Sequence, residues 1–169
     1  GIAINGTILV SAIMNFGTAR FDVGNDLPYP LFLPTFAATA WFHDALEEPY
    51  QSMEIEPFLA EVEEFAMGEY WLALAAGDQL DESQRKNIAQ KLSDYTGVST
   101  EYALQTQLRI NMPRFPKELL REEGKTVGRL DSRFVGIDRD DAADSYEYDP
   151  SYTAIQSIYT ESMNQYLRE

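Results

Sequence analysis

The amino-acid sequence predicts a mainly α chain with one N-terminal sheet strand and a small β-hairpin near residues 125–137. Three observations lead there. From Thr35 to Glu123, apolar residues recur at three- and four-residue spacing between helix start and stop signals, with no strand signal among them. Residues 5–16, NGTILVSAIMNF, are instead apolar on both alternating faces and rich in β-branched residues, the pattern of a strand buried on both sides of a parallel sheet. Residues 125–137, KTVGRLDSRFVGI, combine β-branched residues with two glycines, which suits a hairpin or an extended excursion.

Taken in order, the strand is expected over 7–14. Asn15 to Pro34 follows, rich in Gly, Pro, Asn and Asp, with Gly24-Asn25-Asp26 and prolines at 28, 30 and 34; a structured loop is expected. Thr35 can cap a helix to about Leu46, with Phe36, Ala40 and His43 on one side and Glu48-Pro49 closing it. The next helix should run from Pro57, suited to a first turn, to Ala76, with Gly77 at its end. Phe58, Val62, Phe65 and Leu72 form its apolar stripe, and Glu61, Glu63 and Glu64 lie away from it. Asp81 and Gln84 make a capping box for a helix through Tyr95, closed by Thr96-Gly97. Ser99 caps a short helix to about Leu108, and Arg114 to Glu123 forms another before Gly124. Asp138 to Asp149 is acidic and expected to be exposed. Asp149-Pro150 then starts a last helix toward Arg168, offering Ile155, Ile158, Tyr159 and Tyr166 for packing.

With 44% hydrophobic and 12% aromatic residues, the 169-residue chain has the composition of an ordered domain with a substantial core. Its 28 acids against 13 bases give a net charge of −15, which repels phosphate backbones and anionic headgroups; nucleic acid and membrane are not expected partners. No apolar stretch approaches the roughly 20 residues of a membrane span. The opening run has no basic residue before it and no small-residue cleavage pattern after it, so it reads as mature protein. The absence of cysteine excludes disulfides, a thiol nucleophile and zinc-thiolate sites.

Chemical motifs are sparse. No serine lies in a G-x-S-x-G elbow, and the single histidine, His43, sits beside Trp41 and Phe42, where a structural role outweighs a catalytic one. DRDDAADSYEYD, over 138–149, invites a calcium reading but lacks the EF-hand glycine, having Ala143 there, and has Asp149 in place of the bidentate glutamate. It reads as a solvated acidic loop. Adjacent pairs such as Glu47-Glu48 and Glu63-Glu64 point in different directions on a helix and do not form a glycosidase pair. Eight of the thirteen Lys and Arg residues fall between Arg109 and Arg139 against five acids, a local balance of +3. That island could hold an anion, but ion pairing of Arg129 and Arg133 with nearby acids is the favoured reading.

A parallel strand needs neighbours on both edges, so a lone one pairs with another chain or belongs to a larger α/β protein. The segments NGTILVSAIMNF, GNDLPYPLFLPTFAATAWFH, FAMGEYWLALAAGD, LRINMPRFPKELLREEGKTVGRLDSRFVGID and YDPSYTAIQSIYTESMNQYL together resemble the bacterial branch of the serine carboxypeptidase family, within the α/β-hydrolase superfamily. The resemblance implies that residues 1–16 supply a strand of the hydrolase core and 17–169 a mostly helical cap, or lid. It places the nucleophile elbow before this chain and the acid and histidine after it, so no catalytic residue carries over to any position here. Met14, Asn15 and Phe16 match the family's strand end, and Asn25, Tyr29 and Phe36 lie in its first cap block. By that resemblance these six are expected to line a pocket for a peptide side chain.

The resemblance implies no cofactor and no metal. The partners it implies are the remainder of the hydrolase core and a peptide substrate, and it favours a periplasmic or secreted setting. The alternative is a non-enzymatic helical interaction module, or a homodimer in which strand 7–14 pairs between chains.

Overall fold

The computed structural model describes residue 3 and residues 5–168, and among these it is a helical body carrying one two-stranded sheet. At its centre is α1, Pro28–Phe42. This helix is apolar nearly all round, and Tyr29, Leu33, Phe36, Ala37 and Ala40 are buried, as befits an element with neighbours on several sides. It begins well before the expected Thr35. Pro28 and Pro30 lie in the first turn, where backbone N–H groups have no intrahelical acceptor, so proline removes nothing there and its fixed φ favours the helix. It also ends before the expected Leu46, because Asp44 takes a φ of 53° and turns the chain.

The second helical stretch is α2, Ile55–Phe65, then a π-helical turn at Ala66–Tyr70, then α3, Trp71–Ala76. Phe58, Val62 and Phe65 are buried as the spacing predicts, but Leu72 is 67% exposed, and Ala73 and Leu74 take the inward positions. The π turn is the reason. One extra residue in a turn delays the helical face by about 100°, so a stripe extrapolated at 3.6 residues per turn is one position early beyond it. Tyr70, at the end of that turn, is buried and donates its hydroxyl to the Leu108 carbonyl at 2.6 Å.

Helix α4, Glu82–Thr96, carries the expected capping box at Asp81 and Gln84. It ends at Gly97, whose φ of 71° only glycine adopts freely. A Cβ there would also sit 2.6 Å from the Ala45 carbonyl oxygen. Ser99 caps α5, Thr100–Gln105, which stops short of Leu108 because Gln107 and Leu108 adopt φ of 55° and 65°. The expected 114–123 helix is α6, Phe115–Glu118, plus a 3-10 turn at Arg121–Glu123. Helices α2 and α4 and the π turn pack on α1, and α5 packs on α4.

The hairpin is present as β1, Thr126–Val127, antiparallel to β2, Val135–Gly136, pairing Thr126 with Gly136 and Val127 with Val135. The Thr126 hydroxyl donates to the Pro116 carbonyl at 3.1 Å, tying β1 to α6. Gly136 leaves room for the last helix, α7, Pro150–Arg168: a Cβ there would meet Pro150 at 2.8 Å. Asp149 caps α7 by accepting from the Ser151 and Tyr152 backbone N–H groups.

Two expectations are corrected at the ends of the body. Residues 7–14 form no strand: they run as exposed coil, interrupted at Ser11 by a φ of 47°. A strand exists through its ladder, and the described residues offer 7–14 no ladder partner. At the other end, Ile158, Tyr159 and Tyr166 of α7 do not pack on the body; only Pro150 and Ser151 of that helix are buried.

Candidate functional site

Of the six residues expected to line a pocket, Asn15, Phe16 and Asn25 belong to one loop, Tyr29 and Phe36 lie in α1, and Met14 precedes the loop. The Asn15 side chain accepts from the Gly17 N–H at 2.9 Å and starts a 3-10 turn at Phe16–Thr18. The Asn25 amide donates to the carbonyls of Gly17 at 2.8 Å and Arg20 at 2.7 Å, closing residues 17–25 into a compact loop. Phe16 is exposed beneath the Arg20 guanidinium, 5.0 Å from the ring centre, a cation–π geometry. Tyr29 is buried edge-to-face with Phe21, and an aromatic chain runs on through Phe32 to Phe36, which stacks on Phe115 at 4.3 Å. Met14 stands exposed beside the loop. The outward-facing apolar groups are therefore Met14 and Phe16, Asn15 and Asn25 shape the loop, and Tyr29 and Phe36 pack the core beneath it.

A residue at the edge of the basic island holds this loop to the body. Arg109 grips Asp26 with two parallel bonds, Nε to Oδ1 at 2.7 Å and Nη2 to Oδ2 at 2.8 Å, across 83 residues of sequence. Burial raises the Tyr29 pKa above its ordinary value, against the opposing pull of Arg109. The only advance signal was the position of Arg109 in the basic island.

That island is internal. All eight of its basic residues face a carboxylate: Arg109 with Asp26, Arg114 with Asp144, Lys117 with Asp138, Arg121 with Glu118, Lys125 with Glu123, Arg129 with Asp149, Arg133 with Asp131, and Arg139 with Asp140 and Glu147. Hydrogen bonds from the Arg133 side chain and backbone pull Asp131 down to about 2. The acidic stretch 138–149 is exposed over most of its length, yet Asp138 is buried, which corrects the expectation of a wholly solvated loop. Its Oδ2 accepts from Lys117 at 3.0 Å and from the Glu147 N–H at 3.1 Å, and Lys117 also donates to the Asp140 carbonyl.

His43 is half-buried just past α1, its Nε2 2.6 Å from the Ser132 carbonyl, which makes that nitrogen the N–H donor. With the bond from Thr39 to the Ser132 hydroxyl at 3.0 Å, it pins the hairpin to α1. That contact gives His43 a structural role. A cleft of about 860 Å³ opens elsewhere, among the turn after α1, α4 and α6; it is walled by the carboxylates of Glu47, Glu48, Asp94, Glu118, Glu122 and Glu123, with Arg121 its one basic lining residue. Among the described residues no group of three or more His, Cys, Asp and Glu is placed to hold a metal ion, and no helix is long and apolar enough to cross a membrane. No protein-family model matches the sequence, and neither a curated protein nor a solved structure does.

Proposed function

We propose that this chain is the cap of a serine carboxypeptidase-like hydrolase, covering the active site and helping to select a peptide substrate. The observation that supports the reading is a contrast in packing. The helical body closes its own core, whereas Ile8, Leu9, Val10, Ile13, Met14 and Phe16 leave large apolar side chains in solvent at its N-terminal edge. A stretch with strand composition and no partner among the described residues fits a cap entering from a core sheet, and ligands in such proteins bind beyond the carboxyl ends of the strands. In this reading Met14, Asn15 and Phe16 meet the cleft. The serine, histidine and oxyanion hole come from the rest of the hydrolase, and the cap excludes water and shapes the substrate site.

Two measurements test it. The sequence of the parent reading frame should contain G-x-S-x-G upstream of this chain and an Asp and a His downstream; their absence overturns the reading. The purified chain should leave an N-blocked dipeptide intact, and hydrolysis that survives stringent purification overturns it equally.

A further inference from the structure

Helix α7 leaves the body after its first turn. Beyond Pro150 and Ser151, Ile155 is half-buried, and Tyr152, Tyr159, Met163 and Tyr166 are 50%, 70%, 58% and 74% exposed. At about 100° per residue these five side chains fall within an arc of roughly 80°, a single apolar stripe along a helix about 28 Å long. Their spacing is symmetric about Tyr159. Tyr152 and Ile155 precede it by seven and four residues, and Met163 and Tyr166 follow it by four and seven.

We infer that α7 is a self-association surface on which the α7 of a second copy of this chain docks antiparallel, with Tyr159 on the two-fold axis. In that arrangement Ile155 meets Met163 of the other copy, Tyr152 meets Tyr166, and Tyr159 meets its own equivalent, an isologous interface. Charge favours the same partner. Glu161 and Arg168 are the charged side chains of residues 150–168; they are opposite in sign and lie on the far side of the helix from the stripe. In a chain of net charge −15 this helix is neutral, so two copies can meet along it without the repulsion they would feel elsewhere. Covering the exposed parts of the five side chains removes at most roughly 500 Å² per copy, about 1,000 Å² for the pair, the size of a weak, reversible interface. The inference stands apart from the cap reading, which concerns residues 5–16 and the cleft.

The chain contains no cysteine, which makes the test direct. Sedimentation equilibrium of the chain at about 0.1 mM, suited to a micromolar association, should give twice the 19.2 kDa of one copy. Tyr159→Cys should form a disulfide with itself under mild oxidation at least about tenfold faster than Glu161→Cys on the opposite face. Tyr159→Glu, which puts two like charges on the axis, should sediment as a monomer with an unchanged circular dichroism spectrum, since the side chain is exposed. A monomer at that concentration overturns the inference. So does cross-linking of Glu161→Cys as fast as Tyr159→Cys, or a dimer that survives Tyr159→Glu, which would place the contact elsewhere, as in pairing through residues 5–14.

Discussion

At 1% exposure the Lys117 side chain has lost its water and depends on Asp138 Oδ2, 3.0 Å away, and on the Asp140 carbonyl. Such a pair is weak evidence of net stabilisation, because desolvation of both charges opposes their attraction, but removing one partner strands the other. Lys117→Met should therefore lower the free energy of unfolding by about 3–5 kcal/mol in urea titrations, and replacing both partners with apolar residues should restore part of that loss. Burial opposes ionisation of Asp138, yet the Arg139 N–H, the Lys117 ammonium and the Glu147 N–H outweigh it and hold the carboxyl below its ordinary value. A folded-state pKa below the unfolded one means the contribution is complete above the unfolded value near pH 4 and is lost as pH falls through the lowered native value. Urea midpoints measured between about pH 6 and pH 2 should thus fall less steeply for Asp138→Asn than for the unaltered chain; parallel slopes would refute the assignment. Local caps at this scale were readable in the sequence, since Asp81 with Gln84 and Ser99 with the Tyr102 N–H act within one turn. Lys117 with Asp138 and Asp26 with Arg109 were not, because nothing in a linear pattern says which distant acid a base will meet.

At the scale of elements, periodicity carries as far as the helix stays regular. The reading of 57–76 as one helix was right in direction, and Phe58, Val62 and Phe65 are inward as spacing demands. The π turn at Ala66–Tyr70 then moved the stripe, and sequence spacing has no way to signal one extra residue per turn. The displacement makes a sharp comparison of two neighbouring leucines. Leu72→Ala should change unfolding free energy by less than about 0.5 kcal/mol, as at other exposed positions, whereas Leu74→Ala should lower it by about 2–5 kcal/mol as a core truncation. The opposite ranking in chemical denaturation would mean that α3 follows the regular register. The early start of α1 has a related cause: proline clusters signal loops on average, but at N1 and N3 they fit a helix, and the apolar run behind them gave α1 a reason to form. The hairpin at 126–136 was legible because two short runs, Thr126-Val127-Gly128 and Val135-Gly136, combine β-branched residues with glycine within a dozen positions.

For the whole molecule, the decisive feature is that burial does not coincide with hydrophobicity along the chain. The run Ile8 to Met14 is among the most apolar in the sequence, yet it lies outside the core that α1, α2 and α4 build together. Hydrophobic pattern reports what a segment can bury; it is silent on whether the buried surface belongs to the same chain. A chain beginning at Asn15 should accordingly unfold within about 1 kcal/mol of the longer one and with a nearly equal denaturant slope, because the described residues it removes, residue 3 and residues 5–14, are exposed and contribute little burial to lose. The truncation stops before Asn15 because its caps and the Asn25 bonds close the 16–27 loop, and removing those should destabilise the start of α1. A large loss of stability on removing residues up to Met14 would mean that the segment packs on the body in solution. That outcome would remove the packing contrast on which the cap reading rests, while leaving the symmetric stripe of α7 and its self-association unaffected.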